Sequence, residues 1–166
     1  REALAATGYD PTLLTLEITE TALMRDITSV RGRLLELHSM GIHLALDDFG
    51  TGYSSLTYLR QFPIDVLKID RSFVAGVASD QHDASVTRAI VQLGKSLELS
   101  TVAEGVERPE QVYELLRLHC EYGQGYYFAR PMSAGDMSEY LRPLATTTVR
   151  SAEHAGRNAR RIVLAG

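Results

Sequence analysis

One cysteine, Cys120, stands in 166 residues. It cannot form a disulfide within the chain, and it fits a reducing compartment, so a cytoplasmic location is expected. No apolar run approaches the roughly 20 residues needed to span a bilayer, and the N-terminus lacks the apolar stretch of a signal peptide. A basic surplus is also missing. The formal net charge is -4, which argues against a face built for a nucleic-acid polymer. No Cys/His cluster is present to argue for zinc. What remains is ordinary for one soluble domain with a real core: 45% hydrophobic and 23% charged residues. A chain that starts at Arg1 is expected to be part of something longer.

Short β-rich runs alternate with helical patterns. Strands are expected at Leu13–Ile18, Ile42–Leu46, Ile64–Ile69, Ser100–Glu104 and Gly125–Ala129. Ile27, Val30, Leu34 and Leu37 share one helical face, and Gly41 follows as a C-cap. A short helix is expected from Ser55. Val86, Ile90, Leu93 and Leu97 mark a long amphipathic helix. Pro109 suits the first turn of another, striped by Val112, Leu115 and Leu116. Ser133 and Asp136 resemble a capping box for a last helix through Leu141. The alternation implies an α/β fold with a parallel sheet. An open doubly wound sheet and part of a (β/α)8 barrel both fit the spacing. Residues 1–142 form the domain on this reading, and 143–166 a basic, mobile tail.

Acidic residues gather where strands end: Glu17 and Glu20, then Asp47 and Asp48, then Asp70, then Glu104 and Glu107. Lys68 lies just before Asp70, and Gln124 opens the expected fifth strand. In parallel α/β folds the C-terminal strand ends share one face, which holds the active site. Carboxylates converging there repel one another, and a divalent cation is the simple remedy. All-oxygen ligands favour Mg²⁺ or Mn²⁺. Any one of these acids could instead be a helix cap or a surface charge. Lys68 alternates with Leu67 and Ile69, so it could be a structural ion-pair partner, or could hold a phosphate or the attacking water. His43 reads as a core or helix-packing residue, Cys120 as a small buried one. Tyr126, Tyr127 and Phe128 could stack a base but read first as core. Gly50 and Gly52 permit backbone angles closed to other residues, and Thr51, Ser54 and Ser55 can shape a loop that closes over a ligand.

The segments LEITE, ALDDFGTGYSSL, IDVLKIDRSFV, TVAEGVE and GQGYYFARPM resemble, in order and spacing, the EAL-domain cyclic-di-GMP phosphodiesterases. The resemblance covers about residues 1–142. It implies a TIM-like barrel with one antiparallel strand, and hydrolysis of cyclic di-GMP to linear pGpG with two Mg²⁺ or Mn²⁺ ions. Glu17 then matches a ligand of the first metal and Asp47 the carboxylate bridging both. Asp48 and Glu104 match the surroundings of the second. Lys68 matches the lysine that positions the attacking water, and Gln124 a polar residue lining the site. Glu20 matches the glutamate that anchors the loop of Gly50 and Thr51, and Glu107 a supporting acid.

The sequence also departs from that family. The Glu-Ala-Leu strand and an Asn-bearing strand should precede LEITE. Glu2-Ala3-Leu4 is a decoy, because it lies only fifteen residues before Glu17 in an alanine-rich helical stretch. A complete barrel takes about 250 residues. The expectation is therefore a partial barrel holding the C-terminal strands and helices, poorly soluble and inactive when isolated, from an active longer protein. The family further implies a homodimer and an upstream sensor or diguanylate-cyclase domain, through which the longer protein could be membrane-anchored. The alternatives are a non-catalytic cyclic-di-GMP-binding module and an unrelated Mg²⁺-dependent barrel enzyme.

Overall fold

Five parallel strands lie side by side in the order in which the chain makes them: β1 (Thr15–Thr19), β2 (His43–Phe49), β3 (Val66–Ile69), β4 (Ser100–Ala103) and β5 (Tyr122–Gly123). The computed structural model describes residues 1–24, 27–51 and 59–142. A doubly wound sheet reverses its strand order at a switch point. Here every crossover advances one place in the same direction, which is the order of a barrel wall. Spacing left two architectures open, and strand order selects the partial barrel.

Leu44, Leu46, Leu67, Ile69 and Ala103 alternate onto the convex face and are buried against the helices. The helices are α1 (Glu2–Thr7), α2 (Glu20–Met24), α3 (Ile27–Ser39), α4 (Arg71–Gly76), α5 (Gln81–Ser96) and α6 (Pro109–Arg117), with α7 over 134–142. Each fully buried Leu or Ile contributes about 1.5–3 kcal/mol. Several expected signals sit where the sequence put them. Gly41 turns the chain after α3 with φ 89°, Pro109 opens α6, and Ser133 Oγ caps α7 by accepting from the Asp136 amide at 3.2 Å. Cys120 is buried.

Three expectations need correction. The fifth strand is Tyr122–Gly123, so Gln124 follows it instead of opening it. Gly125–Ala129 forms a turn wrapped on Val106: the Val106 amide donates to Gln124 O, and the Tyr127 amide to Val106 O. The turn leaves Tyr126 53% and Tyr127 44% exposed, so these rings are not core, whereas Phe128 packs on it. Second, β2 runs on past Leu46 through both aspartates to Phe49. Third, His43 is exposed and lies 3.7 Å from Asp65. It opens β2 on the concave side, where it lines the same open space as Glu17 and Lys68 and no helix packs among the described residues. The helix expected from Ser55 and the tail 143–166 lie outside the described residues.

Candidate metal centre

Two neighbouring residues of a regular strand point to opposite faces. Asp47 and Asp48 escape that rule through a bulge. Leu46 pairs with Leu67 and Phe49 with Ile69, so β2 spends three steps where β3 spends two. Bulges of this kind re-aim side chains. Asp48 takes up the extra residue with a left-handed φ of 55°, and Gly50 follows at φ 100°. The Asp48 amide donates to Asp47 Oδ1 at 3.1 Å, and Thr51 Oγ1 donates to Asp48 O at 2.9 Å. The result is that Asp47, Asp48 and Glu104 each offer an oxygen within 4.8 Å of the others.

Lys68 is the hub of this mouth. Its Nζ lies 2.6 Å from Glu17 Oε1, 3.1 Å from Asp47 Oδ1 and 2.6 Å from Glu104 Oε1, with the lysine side chain 6% exposed. Adjacent parallel strands supply all four groups. Glu17 comes from β1, Asp47 from β2, Lys68 from β3, and Glu104 from the residue after β4, whose amide is held by Ile69 O. The sequence left Lys68 between an ion-pair and a chemical role; here it holds three carboxylates.

Burial alone would lower the Lys68 amine, but its hydrogen bonds to Glu104, Glu17 and Asp47 outweigh that and hold it charged above the usual lysine range. Burial pushes the Glu104 carboxyl up, against the pull of Lys68, and Asp47 and Glu17 push the same way. Burial also raises Asp48, helped by the charges of Asp47 and Asp70. Asp70 is raised by burial but lowered further by its hydrogen bonds from Ser72, ending below the usual carboxylate range. These are acids crowded beyond what one ammonium neutralises.

The other expected site residues sit around this group. Gln124 lines the same concavity as Glu17 and Lys68, a space of about 860 Å³. Glu20, the first residue of α2, is 5% exposed. Its Oε2 is buried without a hydrogen-bond partner among the described residues. Most of the loop it was expected to anchor lies outside them. Glu107 is exposed beyond β4, and it engages through its backbone N–H, donated to Gln111 Oε1 at 2.8 Å. It is not one of the acids around Lys68. Gly50 and Thr51 are exposed at the rim. Sequence reasoning placed Asp70 at a strand end but not in the site, where it faces Asp48.

The donor set fits a hard divalent cation. Oxygens on such an ion sit about 2.0–2.6 Å from it, so ligands on opposite sides lie within about 5 Å of each other, the spacing of Asp47, Asp48 and Glu104.

Known proteins place this arrangement. The model of the family described as "EAL domain" matches residues 1–131. A curated relative, the cyclic di-GMP phosphodiesterase NbdA of Pseudomonas aeruginosa, is 46% identical over 142 residues, which is 86% of this chain and 18% of that protein. The chain thus spans about a fifth of that relative's length. Among solved structures, the PaMucR phosphodiesterase in complex with c-di-GMP is 46% identical with a TM-score of 0.79, over 82% of this chain and 56% of that one. BlrP1 of Klebsiella pneumoniae, solved as a manganese/cyclic-di-GMP complex, is 33% identical with a TM-score of 0.73, over 78% of this chain and 33% of that one. With the strand order, the carboxylate-ringed lysine and these matches agreeing, the chain belongs to the EAL domain family.

Proposed function

We propose that this chain forms the metal-binding side of a cyclic-di-GMP phosphodiesterase, a hydrolase that opens cyclic di-GMP to linear pGpG in the longer protein. The observation that carries the reading is the convergence of Glu17, Asp47 and Glu104 on the buried ammonium of Lys68, with Asp48 turned to join them.

Asp47, Asp48 and Glu104 would hold one Mg²⁺ or Mn²⁺ ion, and Glu17 with Asp47 would contribute to a second. Divalent cations at such a site supply Lewis-acid charge for phosphoryl oxygens and make a nucleophile from water at neutral pH. The rest falls to the protein. Lys68 keeps its proton above the usual lysine range, so it acts as a fixed donor and positive charge, never as a base. It orients the attacking water and offsets charge growing on the phosphate. Glu104, which touches Lys68 and belongs to the three-oxygen group, would keep that lysine and one ion in register. Gln124 on the concave wall offers a neutral hydrogen bond to the substrate. The Glu of the family's Glu-Ala-Leu strand and its Asn partner are not among these 166 residues, so the activity belongs to the longer protein. We extend the reading to further domains in the longer protein, given the small share of its relatives that this chain spans, and to a homodimer, which the family membership suggests.

The test is the longer protein with Mn²⁺ or Mg²⁺ and cyclic di-GMP, with pGpG followed by chromatography. The expected result is linear product that falls at least about a hundredfold in Asp47→Asn. Tight binding without turnover would assign a non-catalytic receptor. Unchanged turnover in Asp47→Asn would overturn the role of Asp47.

A further inference from the structure

The metal-binding reading above leaves a structural question. The Asp48 amide on Asp47 Oδ1 and the Thr51 hydroxyl on Asp48 O fasten the β2 bulge from within, and the question is what holds it from outside. Two successive residues of helical or extended preference would restore alternation and carry Asp48 away from Asp47.

The answer lies on the opposite side of the turn. Gly50 has no side chain there, and its backbone rests on two side chains of the helix layer. A methyl group at Gly50 would fall 3.1 Å from Phe73 Cε2 and 3.3 Å from Ile90 Cδ1. Phe73 belongs to α4 and Ile90 to α5, helices packed against one another. Ile90 is buried at 5% exposure, and Phe73 packs against the same core. Phe73 is tied to the site at its other end as well, since its amide donates to Asp70 O at 3.1 Å, and Asp70 faces Asp48. Phe73 therefore meets the turn after Asp47 and Asp48 through its ring, and Asp70, the residue after β3, through its amide.

We infer that Phe73, backed by Ile90, is a positioning residue for the Asp47–Asp48 pair: its ring seats Gly50 and so holds the bulge that brings both carboxylates to one cation. It touches neither metal nor substrate. This rests on the phosphodiesterase reading for the identity of the ligand, but its own signature is metal affinity.

The experiment uses the longer protein and measures Mn²⁺ affinity without substrate, by the signal of free Mn²⁺ in electron paramagnetic resonance. Hydrolysis is then followed against Mn²⁺ concentration. Phe73→Ala is expected to weaken Mn²⁺ binding about tenfold, the size seen when a supporting shell is removed. The Mn²⁺ needed for half-maximal rate rises by the same factor, the rate at saturating Mn²⁺ returns toward wild type, and Phe73→Leu regains most of the affinity. If Phe73→Ala does not fold, Ile90→Val trims the backing of the ring without touching the turn and is expected to weaken Mn²⁺ binding in the same direction. Equal Mn²⁺ affinity in wild type and in the folded variant, with only a lower melting temperature, overturns this inference alone. Failure of the wild type to bind Mn²⁺ overturns the functional reading and this one with it.

Discussion

Lys68 and Glu104 extend from neighbouring parallel strands, and their charged ends meet at 2.6 Å in a pocket that leaves the lysine side chain 6% exposed. Glu17 and Asp47 reach the same ammonium. Removing the cation from this group leaves three acids facing each other. Lys68→Met is expected to destabilise the metal-free protein by about 2 kcal/mol. That is below the ~3–5 kcal/mol of a fully buried pair, because Glu17 is half in water. Denaturant unfolding with and without Mn²⁺ checks it. The loss should shrink when Mn²⁺ is present, since the ion replaces the missing charge.

Mn²⁺ itself should stabilise the wild type. At a concentration of about 100 times Kd, a ligand bound only by the folded state adds about 2.7 kcal/mol. A melting curve that rises with Mn²⁺ and falls back with EDTA is the expected outcome. Asp47→Asn should flatten that response, because Asp47 is shared between Lys68 and the three-oxygen group. A full response in Asp47→Asn would remove it from the ligand set.

Far from the site, Asp80 caps α5 by accepting from the amides of Asp83 and His82. Those bonds hold its carboxyl below the usual aspartate range. A carboxyl depressed in the folded state adds stability above its unfolded pKa and loses it as pH falls through the folded value. Asp80→Ala is therefore expected to melt a few degrees below wild type at about pH 7. The two curves should converge as the solution is acidified through the range below about pH 4. A constant gap would mean that charge has no part in the cap.

Gly125 is the residue on which the turn after β5 depends. A methyl group there would meet Val106 O at 2.2 Å and Val106 N at 2.3 Å. Both are backbone atoms that cannot swing aside. Gly125→Ala should cost about 3 kcal/mol or more and loosen the backbone hydrogen bonds that join Val106 to the Gln124–Tyr127 turn. Faster hydrogen exchange at Val106 and Tyr127 is the direct readout.

Much of this was readable beforehand. Glu17, Asp47, Asp48 and Glu104 follow or end apolar runs, and parallel strands bring such ends to one face, so the acids of the site could be named from the sequence. Lys68 announced itself as the polar residue of an apolar strand. Two features were not legible. A two-residue strand such as Tyr122–Gly123 has no period to detect, and the aromatic run after it looked more strand-like than the strand. The geometry there is set by Val106, eighteen residues before Gln124. The bulge was equally hidden: in LALDDF a polar Asp48 falls in the core phase of Leu44 and Leu46, which reads as the end of a strand, and only pairing with β3 shows an extra residue instead. His43 followed the same limit: its phase in β2 was predictable, but which face lacked a helix was not.

The bulge gives β2 a change of phase in mid-strand. Before it, odd-numbered residues look into the concave face; after it, Phe49 lies buried in the core despite its odd number. Deleting one aspartate would therefore not merely remove a ligand or shorten a loop. It would return the strand to a single phase, with Phe49 moved up one place into the even register of Leu44 and Leu46 and still in the core, and so erase the bulge itself. The doubled aspartate is in this sense a frameshift written into the backbone, and the second acid is the residue that makes the shift possible.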